Sequence, residues 1–163
     1  MSRTCSGLGT SLEDEEPATR WSEGSFQRIL VVLDGSKASR KALRMAISLA
    51  WQHDAELWAL SVEKGLPRFP ATVGEVQEEK ERQDRYYGEL QQQARELAGR
   101  RGVSLRSEVL PGRGATAITG YARQGGFDLV VLGGDPPGGF WRALTGTSSR
   151  VSRGASCSAM IVR

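Results

Sequence analysis

Cysteine and histidine are almost missing from this chain. It has two cysteines, Cys5 and Cys157, and one histidine, His53. The cysteines form no C-x-x-C pair and sit in unrelated contexts, which speaks against a disulfide framework and against a zinc site. His53 has Asp54 beside it but none of the further partners that a metal centre or a Ser-His-Asp triad requires, so it reads as a surface residue. No apolar run approaches the roughly 20 residues needed to cross a bilayer. The first residues show no basic stretch followed by an apolar one, so neither a membrane span nor a secretory signal is expected, and the cytoplasm is the expected compartment. A strong charge of one sign is missing too. The 22 basic and 19 acidic residues leave +3, too little and too dispersed to indicate a specific nucleic-acid partner. Arg142, Arg150, Arg153 and Arg163 gather late in the chain, either to meet an anionic ligand or as a solvated surface.

What is present fits one domain of ordinary size, since 163 residues bury a substantial core but do not divide into two. Residues 1–25 are rich in Ser, Thr, Gly and Glu and carry the acidic run Glu13-Asp14-Glu15-Glu16, so they read as a disordered acidic tail. Residues 26–163 form the domain. Gln27 to Leu33 is a continuous apolar run suited to the centre of a parallel sheet. Asp34-Gly35-Ser36 breaks it, and Ser36 is placed to cap a helix through about Gln52, with Ala38, Ala42, Met45, Ala46, Leu49 and Ala50 on its apolar side. A second strand, Glu56 to Val62, is followed by a Gly/Pro loop and a long charged helix over about 74–100, where Tyr86, Leu90, Ala94 and Leu97 recur at helical spacing. Val103 to Leu110 reads as a strand, the segment carrying Ala115, Ile118 and Ala122 as a helix, and Phe127 to Leu132 as a second fully buried strand. A helix over about 140–152 and a final strand, Ala159 to Val162, complete the series. Of the four tryptophans, Trp51 and Trp58 read as core or flank of the first helix and second strand, Trp21 belongs to the tail, and Trp141 either covers a ligand or packs on the last helix. This alternation of strand and helix predicts a parallel sheet with helices on both faces.

In such sheets ligands bind beyond the carboxyl ends of the strands. Asp34, Val62, Leu110 and Gly133 mark those ends. The segment Gly133 to Ser149 is the most informative, because a buried strand ends in glycines, and Gly146 is followed by Thr147, Ser148 and Ser149 where a helix can start. Backbone N–H groups at a helix start attract phosphate, and glycine lets the backbone approach it. The alternative is a plain turn at Gly146 with the hydroxyls as helix caps.

These residues resemble the universal stress protein family, from about Gln27 to Arg163. Its ATP-binding members show G-x2-G-x9-G-[ST] after the fourth strand. Gly133 matches the first glycine, Gly146 the last and Thr147 the hydroxyl, while Pro136 stands where the second glycine belongs and offers no N–H. Ile29 to Ser36 looks like the family's opening strand and turn, Asp128 to Gly133 like its fourth strand, and Cys157 to Arg163 like its ending. The resemblance implies an α/β, Rossmann-like fold of five parallel strands in the order 3-2-1-4-5. It also implies an adenine nucleotide as ligand, ATP above all, in a stress-response or regulatory role. Val32, Leu33 and Asp34 would then face base and ribose, and Val62 would border the adenine. Leu132, Gly133, Pro136, Gly146, Thr147, Ser148 and Ser149 would lie along the phosphates. Asp135 is the only acid there and suits Mg²⁺. For Asp34 the alternative is a purely local role beside the positive end of the first helix.

Gly112-Arg113-Gly114-Ala115-Thr116-Ala117 also fits the G-x-G-x-x-[GA] fingerprint of dinucleotide sites. Only two strands follow it, too few for the crevice of a larger doubly wound sheet, and the resemblance makes it a turn lining the pocket. A lysine after the glycines, as in common NTPases, is missing, so binding rather than catalysis is expected, with slow ATP hydrolysis as a by-product. The apolar last strand, placed at a sheet edge, suggests a homodimer. A dimeric stress protein without nucleotide is the second reading, and an NAD-dependent or NTP-hydrolysing enzyme the third.

Overall fold

A computed structural model describes residues 25–63, 72–112, 114–134 and 157–163. Its elements run β1 (Arg28–Val32), α1 (Lys37–His53), β2 (Glu56–Glu63), α2 (Val73–Gly99), β3 (Leu105–Pro111), α3 (Gly114–Gln124), β4 (Leu129–Gly133) and β5 (Ser158–Val162). All five strands are parallel and lie in the order β3-β2-β1-β4-β5. The expected fold class and strand order therefore hold. The helix expected over about 140–152, with Trp141, lies outside the described residues, as do residues 1–24.

The central strands are apolar on both faces because both faces are covered. On one, Ile29, Val31, Leu33, Leu57 and Ala59 meet α1 and α2. On the other, Leu30, Val32, Leu60, Val130 and Leu132 meet Ile118 and Ala122 of α3. Ile29, Leu30, Val31 and Leu60 are fully enclosed, each contributing about 1.5–3 kcal/mol through burial. Strand β1 sits between β2 and β4, with Leu30 opposite Trp58 on one side and Val130 on the other. At its start the Asp128 carboxylate accepts the Gln27 and Arg28 N–H groups, both at 2.8 Å, which ties β1 to the turn before β4.

Local chemistry sets the helix ends. Ser36 is the N-cap of α1, its hydroxyl accepting the Ser39 N–H at 3.0 Å, and Asp54 closes the helix in the left-handed conformation that Asp tolerates. Thr72 and Glu75 form a reciprocal capping box at the start of α2.

The apolar stripes differ in detail from the sequence reading. In α1 the residues facing the sheet include Leu43 and Ile47, and Met45 is 43% exposed. In α2 they are Tyr87, Leu90, Gln91, Ala94 and Ala98, and Tyr86 is 48% exposed. Both helices have more apolar residues than one face accommodates, so spacing alone admits two neighbouring stripes about 100° apart. Trp51, expected at the core or its flank, is exposed on α1.

Candidate functional site

The chain reverses sharply at the carboxyl end of β1. The Asp34 Oδ1 accepts the Ser36 N–H at 2.9 Å, Gly35 takes a φ of +82°, and Ser36 starts α1. This turn places an exposed carboxylate beside the N-terminus of a helix that carries no acid in its own first turn. Burial of part of the Asp34 carboxyl pushes its pKa up. Hydrogen bonding by Ser36, through its hydroxyl and N–H, together with the nearby Ser39 hydroxyl outweighs that, and the net result lies below the ordinary carboxylate value. At neutral pH Asp34 is an ionised acceptor.

Around this turn lies a cavity of about 280 Å³. Strand β1 and the turn after it contribute Val32, Leu33 and Asp34, β2 contributes Val62 and Glu63, and β4 contributes Leu132 and Gly133. Ser39 of α1 and the start of α3, with Gly112, Gly114 and Ile118, close it. The fold thus brings together Val32, Leu33, Asp34, Val62, Leu132 and Gly133 of the residues the sequence nominated, while Leu110, nominated as a strand end, does not line the cavity. Pro136, Gly146, Thr147, Ser148 and Ser149 lie outside the described residues. The wall is apolar at Val32, Val62, Ile118 and Leu132 and carries carboxylates at Asp34 and Glu63. Such a surface suits a flat, partly apolar ligand with hydroxyl or amino donors.

Three lining residues were not singled out from the sequence. Ser39 is buried, and its hydroxyl donates to the Ser36 carbonyl at 3.0 Å; the Ser-x-x-Ser spacing across a helix start was its available signal. Glu63 joins because β2 runs one residue beyond its apolar stretch. Ile118 shows in sequence only as a helix core position.

Gly133 has a packing role that no motif reveals. A Cβ at this position would overlap the backbone of Ala38 and Ser39, so the first turn of α1 rests directly on the last residue of β4.

A larger cavity, about 490 Å³, opens at the opposite end of the sheet between Trp51, Asp54, Glu56, Trp58 and Arg106. Its Trp58 ring already carries guanidinium groups, Arg28 at 5.8 Å and Arg106 at 5.2 Å from the centroid. Parallel sheets bind ligands at the strands' carboxyl ends, which favours the smaller cavity. Among the described residues no group of three or more His, Cys, Asp or Glu is placed to hold a metal ion, and no helix is long and apolar enough to cross a membrane.

Comparison with known proteins bears on this site. The model of the universal stress protein family matches residues 25–163. Universal stress protein MJ0531 of Methanocaldococcus jannaschii is 29% identical over 149 residues, covering 86% of this chain and 84% of that protein. The solved structure of universal stress protein UspA from Lactobacillus plantarum superposes with a TM-score of 0.69 at 26% identity, over 85% of this chain and 99% of that one. A universal stress family protein from Arabidopsis thaliana, solved with AMP bound, shares the fold at 15% identity and a TM-score of 0.58, over 83% of this chain and 90% of that one.

Proposed function

The chain belongs to the universal stress protein family, and on that basis we propose that it binds an adenine nucleotide in the cleft at the carboxyl ends of β1, β2 and β4. The observation carrying this reading is the meeting of Val32, Leu33, Asp34, Val62, Leu132 and Gly133 around one cavity. The base packs between Val62 and the aliphatic wall, and the ribose hydroxyls donate to the Asp34 carboxylate. At about 280 Å³ the space lies just below the roughly 300–1,000 Å³ usual for small-molecule pockets, so it is assigned to the nucleoside part of the ligand. AMP in the Arabidopsis relative supports the same class of ligand.

The nucleotide is ATP, held at its phosphates by the segment from Gly133 through Gly146, Thr147, Ser148 and Ser149, with Mg²⁺ at Asp135. Pro136 removes one N–H donor from that segment, so affinity is modest. The protein acts as a cytoplasmic regulatory binder in the stress response, and any hydrolysis is slow. Titration calorimetry with ATP and Mg²⁺ tests this. Wild type should bind, and Pro136→Gly should bind about tenfold more tightly, the lower end of what one hydrogen bond to a charged group contributes. No heat in either protein would overturn the nucleotide reading.

A nucleotide-free dimer is the second reading, and β5 favours the dimer in either case. Among the described residues it is an edge strand with one side unpaired, and Ile161 on it is 47% exposed. Light scattering should give a dimer at micromolar concentration, and a monomer would count against pairing through β5.

A further inference from the structure

Helix α2 places two consecutive tyrosines against two different strand ends of the cavity. The Tyr86 hydroxyl donates to the Asp34 carbonyl at 3.1 Å, and the Tyr87 hydroxyl donates to the Val62 carbonyl at 3.2 Å. The two rings meet edge to face, with centroids 5.2 Å apart, so neither hydroxyl swings without disturbing the other ring. Gly35 completes the arrangement. A Cβ there would overlap the Tyr86 hydroxyl, and its φ of +82° disfavours any other residue.

Packing explains Tyr87 in part, because it is buried in the α2 stripe. It does not explain Tyr86, which is half exposed and yet reaches 52 residues back along the chain to one peptide group. The turn at Asp34 is already closed by the Ser36 N–H and the Ser36 cap. Neither bond engages the Asp34 carbonyl, which lies in the plane of the Asp34–Gly35 peptide that leads the carboxylate-bearing turn into α1. The Tyr86 hydroxyl fixes that plane from outside the cavity, and Tyr87 does the same for the peptide after Val62.

We propose that Tyr86 and Tyr87 are positioning residues that hold Asp34 and Val62 in ligand-binding geometry, so that α2 sets the shape of the nucleoside pocket without touching the ligand. The proposal rests on the nucleotide reading above for its consequence, and on the two tyrosine–carbonyl bonds for its cause.

Tyr86→Phe and Tyr87→Phe test it, each removing one hydroxyl and keeping the ring. Hydrogen exchange on the ligand-free proteins should rise several-fold in residues 33–37 for Tyr86→Phe and in residues 60–63 for Tyr87→Phe, each without the other. In calorimetry both variants should bind AMP about fivefold more weakly, the effect of losing roughly one neutral hydrogen bond. Tyr86→Phe should also shrink the preference for AMP over 2′-deoxy-AMP, because Asp34 serves the ribose, whereas Tyr87→Phe should weaken both ligands equally. A purely structural role would move the melting temperature and leave that ratio alone. Unchanged or evenly raised exchange in both variants would overturn the proposal, as would unchanged AMP affinity beside the expected exchange pattern. If wild type takes up no AMP, the nucleotide reading fails, and the exchange pattern still decides whether the tyrosines hold these strand ends.

Discussion

Gly133→Val is expected to cost the protein more than about 3 kcal/mol of stability, enough to lower its melting temperature by roughly 10 °C or to leave it unfolded. The clash is with backbone, the Ala38 carbonyl and Ser39 nitrogen, so no rotamer change relieves it. Helix α1 has little freedom to retreat. Its first turn is capped by Ser36, and Ala38, Ala42, Leu43, Ala46, Ile47 and Ala50 are buried behind it. Moving the helix would open the core it shares with β1 and β4, against a total stability of only about 5–15 kcal/mol for a domain. Gly133→Ala should show the same effect in smaller measure. Denaturant melts of both variants in the absence of ligand provide the check. A Gly133→Val protein as stable as wild type would mean that β4 and α1 do not approach as closely as described. The result also separates two reasons for glycine here, since a phosphate-binding role alone would leave ligand-free stability untouched.

That distinction shows how far sequence reaches in this chain. The runs Ile29 to Leu33 and Leu129 to Leu132 are apolar on consecutive residues, a pattern too continuous for a half-exposed strand and suited to one covered on both faces, so the centre of the sheet was legible. Ser36 was legible as a cap because its hydroxyl acts within three residues. The order of the strands was not contained in periodicity and came from the family resemblance. Contacts spanning many residues were hidden as well. The seating of α1 on Gly133 leaves no trace in local pattern, and the reach of Tyr86 to Asp34 was masked because Tyr86 and Tyr87 compete for the same helical stripe. Spacing favoured the first, and packing buries the second. Glycine motifs therefore need two questions asked of each position, what ligand it admits and what backbone it accommodates.

Asp34→Ala is expected to weaken adenine nucleotide binding about a hundredfold, and Asp34→Asn about tenfold. Hydrogen bonds to a charged group contribute about 1.5–3 kcal/mol each, and a carboxylate facing a ribose diol accepts two. Asparagine keeps an oxygen for the Ser36 N–H and so preserves the turn, losing the charge alone. Alanine loses the acceptor as well, along with the bond that closes the turn, at a stability cost of about 1 kcal/mol. The pH dependence follows from the direction of the Asp34 shift. Its pKa in the folded protein lies below the unfolded value, so its contribution is complete above the ordinary carboxylate range and is lost as pH falls through the folded value, below about pH 4. The stability gap between wild type and Asp34→Ala should thus be constant from about pH 6 to 8 and close in acid. Denaturation across that range and calorimetry near neutrality measure the two effects separately. A loss of stability without a loss of affinity would assign Asp34 to the turn alone. Weak binding by Asp34→Asn, whose turn is intact, would place the carboxylate's charge on the ligand itself.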